Sequence, residues 1–221
     1  PPMSDLIAGL YAAFGVVTAL QARHRTGRGQ IVESSLTNGL ISMMAYLSAE
    51  YFATGIIPSR TGNNHPIASP YGLFRASDGR VAVAPSNDVF VKRFLTVLDL
   101  DHLLDEDKFC TNDQRMKNRD ELLEIINTVT EKQSVDHWIR VINEAGCPCG
   151  RTMDLKEVFE DPQVLAQEMM LEVDHPGRGP VKMTGFPVKL SETPAKIHRP
   201  TPELGADTSA VLGSLKSRER N

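Results

Sequence analysis

Two long apolar segments at the start of the chain constrain its fold more than any other feature. The first begins after Ser4 or Asp5, either of which can cap a helix, and ends in the glycine-containing turn 26–29. The second runs from about 34 to 53 and ends at Gly55. Both predicted helices are apolar around much of their surface, so we expect each to pack deep inside something larger.

The rest of the chain is typical of a mixed αβ protein. Turn-forming residues fill 56–70 and predict a linker, and Ser77-Asp78-Gly79 between two short β-forming runs predicts a hairpin. Asp88 is expected to cap the helix that follows. Further helices are predicted at 119–131, 134–144, 155–160 and 207–215, strands at 171–173, 181–183 and 187–190, and a frayed end after the last helix.

Composition excludes several classes of protein. Of 221 residues, 41% are hydrophobic and 24% charged, and the formal net charge is -4, so nucleic-acid binding has no electrostatic basis. No stretch is expected to reach the roughly 18 apolar residues of a membrane span. Three cysteines are too few for a disulfide framework, which favours the cytoplasm, or the mitochondrial matrix in a eukaryote.

Because Pro1-Pro2-Met3 has no initiator methionine before it, we expect a piece of a longer polypeptide.

Asp5 is the first candidate for chemistry. It lies in the first turn of the first predicted helix, where unpaired N–H groups and the helix dipole favour an anion. An acidic residue there is commonly a cap. The same field also suits a carboxylate nucleophile beside N–H groups that can hold an oxyanion. Spacing alone leaves both interpretations open.

Three other motifs have a structural and a functional interpretation. The turn 26–30 could cradle a phosphate, but it follows a helix and has no P-loop lysine, which favours a helix C-cap. Gly62-Asn63-Asn64-His65-Pro66 is a flexible loop whose histidine could donate a proton or simply be exposed. Cys147-Pro148-Cys149 is one residue short of C-x-x-C, so we expect a turn there and no metal site in the chain.

Several motifs in order resemble the class III CoA-transferases, the CaiB/BaiF family, over nearly the whole chain. The motifs are Ser4 to Gly15, Thr26 to Gln30, Gly62 to Pro66, Pro70 to Phe74, Asp78-Gly79, Ser86-Asn87-Asp88, Gly146 to Gly150, Asp161 to Val164 and Pro202 to Gly205. The resemblance implies an α/β fold of two domains in an interlocked homodimer. It assigns 1–50 to large-domain helices, 51–65 to a linker, 66–150 to a small αβ domain, and 151–221 to a linker and a segment returning to the large domain. The family's N-terminal Rossmann half would precede residue 1.

The resemblance also implies a reaction and its residues. Asp5 matches the carboxylate that attacks an acyl-CoA and forms a mixed anhydride, then an enzyme thioester that a carboxylic acid, such as a dicarboxylate, resolves. Gly62, Asn63, Asn64 and His65 match the loop that covers such sites. Leu36 is the one CoA contact expected here, since most would precede residue 1. Coenzyme A is then a substrate, and no permanently bound cofactor is expected.

Two alternatives stay open from the sequence. The same family includes 2-methylacyl-CoA racemases, which need an acid/base pair rather than a nucleophile. Their histidine would precede residue 1, and they are expected to have a glutamate soon after the hairpin. This chain has Asn87 there, as the transferases do. The other alternative is a non-catalytic chain that assembles with a partner subunit.

Overall fold

The structure is a computed structural model that describes residues 1–218, with side chains described from 1 to 215. The chain is a mixed α/β protein. Its helices are α1 (Met3–Thr26), α2 (Leu36–Met43), α3 (Tyr46–Thr54), α4 (Asp88–Val97), α5 (Asn112–Lys117), α6 (Arg119–Thr130), α7 (Val135–Glu144), α8 (Leu155–Glu160), α9 (Pro162–Ala166) and α10 (Thr208–Arg218), with a 3₁₀ helix at Asp101–Asp105. Its strands are β1 (Gly72–Ala76), β2 (Gly79–Val83), β3 (Cys149–Arg151), β4 (Met170–His175) and β5 (Gly179–Thr184).

Contacts divide the chain into two units, which we describe separately. The first consists of Pro1–Leu73 and Ala84–Ile126, and the second of Phe74–Val83 and the chain from Asn127 onward. The division into 1–50, 51–65, 66–150 and 151–221 expected from the family resemblance stays a prediction.

The long helix α1 agrees with its predicted end but not with its predicted cap. It ends at Thr26, and Gly27 takes the left-handed conformation with φ of 70° while its N–H bonds the Arg23 carbonyl at 2.8 Å. The glycine-containing turn is therefore a helix C-cap. At the other end the cap position is Pro2, which has no capping side chain, so the expectation that Ser4 or Asp5 caps the helix is wrong.

The sequence was expected to contain no stretch apolar enough for a membrane span, and this expectation is wrong. By length and composition α1 could cross a membrane. An 18-residue window of α1 has a mean hydropathy of 1.6, and 6% of it is buried. The charged residues of α1 lie in its first and last turns, so 6–22 carries no charged side chain. Core helices of soluble proteins can be as long and as apolar as α1, but they are mostly buried. That the protein does not act at a membrane stays a prediction.

The second apolar segment forms two helices rather than the single one predicted. Ser35 caps α2 by accepting a hydrogen bond from the Asn38 N–H at 3.1 Å. The helix ends at Met43, and Ala45 has φ of 45° and ψ of -118°, which no α-helix tolerates. A new helix, α3, then runs to Gly55, whose φ is 71°. Periodicity alone did not reveal this break, because no glycine or proline marks it.

In the first unit, α4 packs against the 3₁₀ helix and buries one face. Asp88 was expected to cap this helix, but the cap is Asn87, whose Oδ1 accepts from the Phe90 N–H at 3.1 Å. Asp88 is the first helical residue. The 3₁₀ helix and α5 were missed because each is too short to show a periodic pattern. The buried apolar side chains of this unit include Val91, Phe94, Leu95, Leu98, Leu103, Phe109, Leu122 and Ile126.

The predicted hairpin is confirmed as β1 and β2, joined at Ser77-Asp78. The strand β3 pairs antiparallel with β2 in the register Val81 to Arg151, which gives the sheet order β1-β2-β3. Against this sheet packs α7, which is capped by Ser134 and buries Val135, Trp138 and Ile142. The structure thus places Cys149, expected in a turn, at the start of a strand.

Beyond the sheet the second unit continues with short elements. The helix predicted at 155–160 is confirmed, and α9 after it was missed because only five residues form it. The strands β4 and β5 form a second antiparallel pair at the predicted positions, whereas 187–190 is not a strand. The last helix begins one residue later than predicted, and the predicted frayed end lies partly outside the described residues.

The face of α7 gives a stability prediction. Ile142 is fully buried, so Ile142→Ala should cost about 2–5 kcal/mol of unfolding free energy through lost contacts and a cavity. Arg140 on the same helix is 61% exposed and pairs only loosely with Glu144, so Arg140→Ala should change the stability by less than about 0.5 kcal/mol. Urea unfolding of both variants measures the difference. Equal losses would contradict this account of the core.

Candidate functional site

The carboxylate of Asp5 lies in the first turn of α1, as the sequence predicts. The side chain is exposed, and its Oδ2 accepts a hydrogen bond from Ser4 Oγ at 3.0 Å. The first intrahelical hydrogen bond runs from the Leu6 N–H to the Pro2 carbonyl at 3.1 Å, so the amides of Met3, Ser4 and Asp5 precede it. Helix starts concentrate N–H donors and partial positive charge. Asp5 therefore has an anion-stabilising environment and open access for a ligand.

The start of α1 is held against α2. Ser34 Oγ donates to the Ala8 carbonyl at 2.9 Å, and Ser42 Oγ is hydrogen-bonded to the Tyr11 hydroxyl at 2.9 Å. Gly39 is buried, and a Cβ there would lie 3.0 Å from Ile7 Cγ2. This close approach fixes α2 beside the first turns of α1. Leu36, the expected CoA contact, is the first residue of α2 and is 49% exposed.

The predicted loop Gly62–His65 is a turn with an exposed tip. Gly62 has φ of 61°, which favours glycine, and the Asn64 N–H donates to the Thr61 carbonyl at 3.1 Å. Gly62 and Asn63 are exposed, whereas Asn64 and His65 are half-buried. The tip can therefore meet a ligand while its C-terminal side is packed.

His65 is held between two tyrosine rings. Its ring centroid lies 4.7 Å from that of Tyr71 and 6.1 Å from that of Tyr46, with interplanar angles of 20° and 15°. The His65 N–H donates to the Tyr71 carbonyl at 2.9 Å, and its Nδ1 accepts from the Ile67 N–H at 3.3 Å. Only Nε2 is then left for a proton donation to a ligand.

The segment after the loop is tied to α5 and to the start of α6. Arg115 is 2% exposed, and its guanidinium donates to the Ser69 carbonyl at 2.7 Å, to the Phe109 carbonyl at 3.1 Å and to Asp88 Oδ1 at 2.5 Å. Arg119 donates to the His65 carbonyl at 2.9 Å. A cavity of about 510 Å³ adjoins this segment, lined by Ser59, Thr61, Pro66 and residues 116–121.

The predicted site residues fall into two groups. Asp5 and Leu36 lie on the packed helices α1 and α2, whereas Gly62–His65 contact α3 through Tyr46. In the part of the chain that the structure describes, no hydrogen bond or ion pair joins Asp5 to the loop. Sequence reasoning missed Tyr46 and Arg115. An aromatic at a helix start and a lone arginine carry no motif, so nothing in the pattern singles them out.

The remaining candidate motifs are structural here. Burial raises the pKa of the Cys149 thiol, with the hydrogen bond to Asn143 opposing the shift, so its thiolate forms less readily than usual. Cys147 is buried. Within the described residues no group of three or more His, Cys, Asp or Glu side chains is arranged to hold a metal ion. Asn87 is engaged as the cap of α4.

The chain is similar to proteins of one family over most of its length. The model of CoA-transferase family III matches residues 1–208. A human protein named succinyl-CoA:glutarate CoA-transferase is 30% identical over 95% of this chain and 48% of its own length. An Acetobacter aceti protein named acetyl-CoA:oxalate CoA-transferase is 33% identical over 98% of this chain and 55% of its own length. The chain thus spans about half the length of the curated relatives it matches.

A solved structure agrees with these sequence matches. The crystal structure of a CaiB/BaiF family protein from Brucella suis superposes with a TM-score of 0.76 and 30% identity, covering 96% of this chain and 55% of that one. The agreement extends over nearly all of the chain, so the fold of α1 to α10 is that of these proteins.

The contact between Gly72 and the loop gives a prediction. A Cβ on Gly72 would overlap Asn64 Oδ1 and lie 3.0 Å from the Asn63 carbonyl oxygen. Gly72→Ala should therefore displace the loop, at a cost of about 1–3 kcal/mol, and speed tryptic cleavage after exposed Arg60. Gly150, also in a strand, has no atom within 4 Å of such a Cβ, so Gly150→Ala is the control. Equal cleavage rates for the two variants would show that the loop is not packed on Gly72.

Proposed function

The chain belongs to CoA-transferase family III, and from that membership we propose that the protein transfers CoA from an acyl-CoA to a carboxylic acid, with Asp5 as the nucleophile. The observation that carries the proposal is the family match over residues 1–208. Asp5 lies within that region, at the exposed start of α1. The named activities of the human and Acetobacter aceti relatives favour a dicarboxylic acid as acceptor.

The proposed reaction begins at the Asp5 carboxylate. One of its oxygens attacks the thioester carbon, the C–S bond breaks, and CoA leaves as a thiolate, giving a mixed anhydride. The thiolate then attacks the Asp5 carbonyl carbon and releases the donor acid, which leaves Asp5 as a CoA thioester. The acceptor carboxylate expels the thiolate again and forms a second anhydride. The thiolate finally attacks the acceptor's acyl carbon, giving the new acyl-CoA and a free Asp5 carboxylate.

Amides at the helix start are suited to this chemistry. Each attack places negative charge on a carbonyl oxygen next to Asp5, and the amides of Met3, Ser4 and Asp5 precede the first intrahelical hydrogen bond. Donors aimed at a developing oxyanion supply much of the catalysis in acyl transfer. We assign the loop Gly62–His65 the role of limiting water at the anhydride, since Gly62 lets its backbone approach a ligand closely.

We also propose that the apolar surface of α1 to α3 is covered by protein, in an interlocked homodimer within a reducing compartment such as the cytoplasm. Phe14 is 72% exposed, Val17 67% and Phe52 81%, and exposed apolar side chains grouped in this way are typical of a protein–protein contact. The partner subunit would also enclose Asp5. Coenzyme A would enter this enclosed site as a substrate rather than stay bound as a cofactor.

Asp5→Asn tests the role of the carboxylate. It should lower the rate of CoA transfer from succinyl-CoA to glutarate by about 10³-fold or more, because an amide cannot form the anhydride. Glu144 is an exposed carboxylate on α7, outside α1 to α3, and Glu144→Gln should leave the rate unchanged. Borohydride or hydroxylamine added during turnover should modify the Asp5 peptide. An active enzyme with that peptide unmodified would overturn the mechanism.

A racemase would give a different isotope result. Family III racemases move a proton at Cα of a 2-methylacyl-CoA, so turnover in D₂O would wash deuterium into that position and would not need Asp5 as a nucleophile. We expect no wash-in with this protein, because Asn87 caps α4 where the racemases have a glutamate. Deuterium incorporation that survives Asp5→Asn would favour the racemase instead.

A further inference from the structure

The segment that follows the loop is held by three side chains, which we call the loop anchor: Asn112, Arg115 and Arg119. Asn112 accepts from the Ser69 N–H at 3.2 Å and donates to the Ile67 carbonyl at 3.0 Å. Arg115 donates to the Ser69 carbonyl, and Arg119 to the His65 carbonyl. Four backbone groups between 65 and 69 are therefore fixed by three side chains that lie within eight consecutive positions of the sequence.

The central side chain of the loop anchor, Arg115, is itself held firmly by the rest of the first unit. Arg115 also bonds the Phe109 carbonyl and Asp88, so its buried guanidinium cannot move without losing three hydrogen bonds at once. The loop tip has no comparable support. Gly62 and Asn63 are exposed, and the tip is shaped by its own turn from Asn64 to Thr61. The boundary between fixed and adaptable backbone thus falls at His65.

We propose that the loop anchor is a positioning device that keeps the loop Gly62–His65 over the acyl-enzyme, so that the acyl group is transferred rather than hydrolysed. The proposal rests on the proposed function. In the competing step, water attacks the acyl carbon of the anhydride and the bond to the Asp5 oxygen breaks. The products are the free acid, one proton and the Asp5 carboxylate, with CoA lost from the transfer reaction. If the anchor bonds to 65–69 are lost, the loop moves more freely and water reaches the anhydride more often.

The test compares two asparagines in the full-length protein. Asn112→Ala removes both bonds to the segment, whereas Asn118→Ala removes bonds to the Lys108 and Gln114 carbonyls, which lie outside it. The ratio of succinyl-CoA hydrolysis to transfer onto glutarate should rise about five- to tenfold in Asn112→Ala, the size expected from losing two hydrogen bonds, and stay unchanged in Asn118→Ala. General destabilisation would lower both rates together and leave the ratio unchanged.

A second pair of variants covers the case in which Asn112→Ala does not fold. Arg119→Met removes the bond to the His65 carbonyl, and Lys117→Met is its control, since Lys117 is an exposed neighbour. The same rise in the ratio is expected for Arg119→Met only. A ratio that stays at the wild-type value in both anchor variants overturns the proposal.

Hydrogen–deuterium exchange gives a readout that does not depend on activity. Peptides covering 60–72 should exchange faster in Asn112→Ala and Arg119→Met than in the two control variants. Unchanged exchange overturns the proposal even where activity changes. If the wild-type protein transfers no CoA, the proposed function fails, and with it the catalytic role of the anchor, while faster exchange would still show that the anchor holds the loop.

Discussion

A buried guanidinium, that of Arg115, connects three stretches of the first unit that are distant in sequence. It reaches the Ser69 and Phe109 carbonyls and Asp88 from a position that is 2% exposed. A buried charge is costly unless it is fully hydrogen-bonded, so the backbone around it has little freedom to shift. At Ser69 this guanidinium holds one end of the segment 65–69, and Asn112 and Arg119 hold the rest of it.

The second constraint is the apolar surface of the first three helices. Side chains such as Phe14 and Phe52 remain largely exposed although α1 packs on α2 through Ile7 and Gly39. At about 25 cal/mol per Å² of apolar surface, covering even a few such side chains stabilises an assembly by several kcal/mol. Of these helices α1 is long and apolar enough to cross a membrane, but it lies within the region matched by the family model. The proposed homodimer would cover this surface.

Elements with strong local signals were predictable from the sequence, and those set by packing were not. Gly27, Gly55 and Asp78-Gly79 mark a helix end, a second helix end and a hairpin, and all three are confirmed. The break at Ala45 and the Tyr46–His65–Tyr71 stack depend on contacts that no local pattern encodes. For the candidate site, motif order identified the family, whereas the roles of Asp5 and of the loop stay predictions.

The helix start alone cannot make Asp5 an effective nucleophile. A helix terminus stabilises an exposed anion by about 0.3–1 kcal/mol, whereas enzymes lower reaction barriers by roughly 8 kcal/mol or more. Most of the difference must come from removing water and fixing donors around the carboxylate, since preorganised dipoles act far more strongly in a dry site. Asp5 is exposed in this chain. We therefore infer that the proposed partner over α1 to α3 and the anchored loop both belong to the active site. Each would exclude water from Asp5, and the helix dipole alone stabilises the carboxylate too little for catalysis.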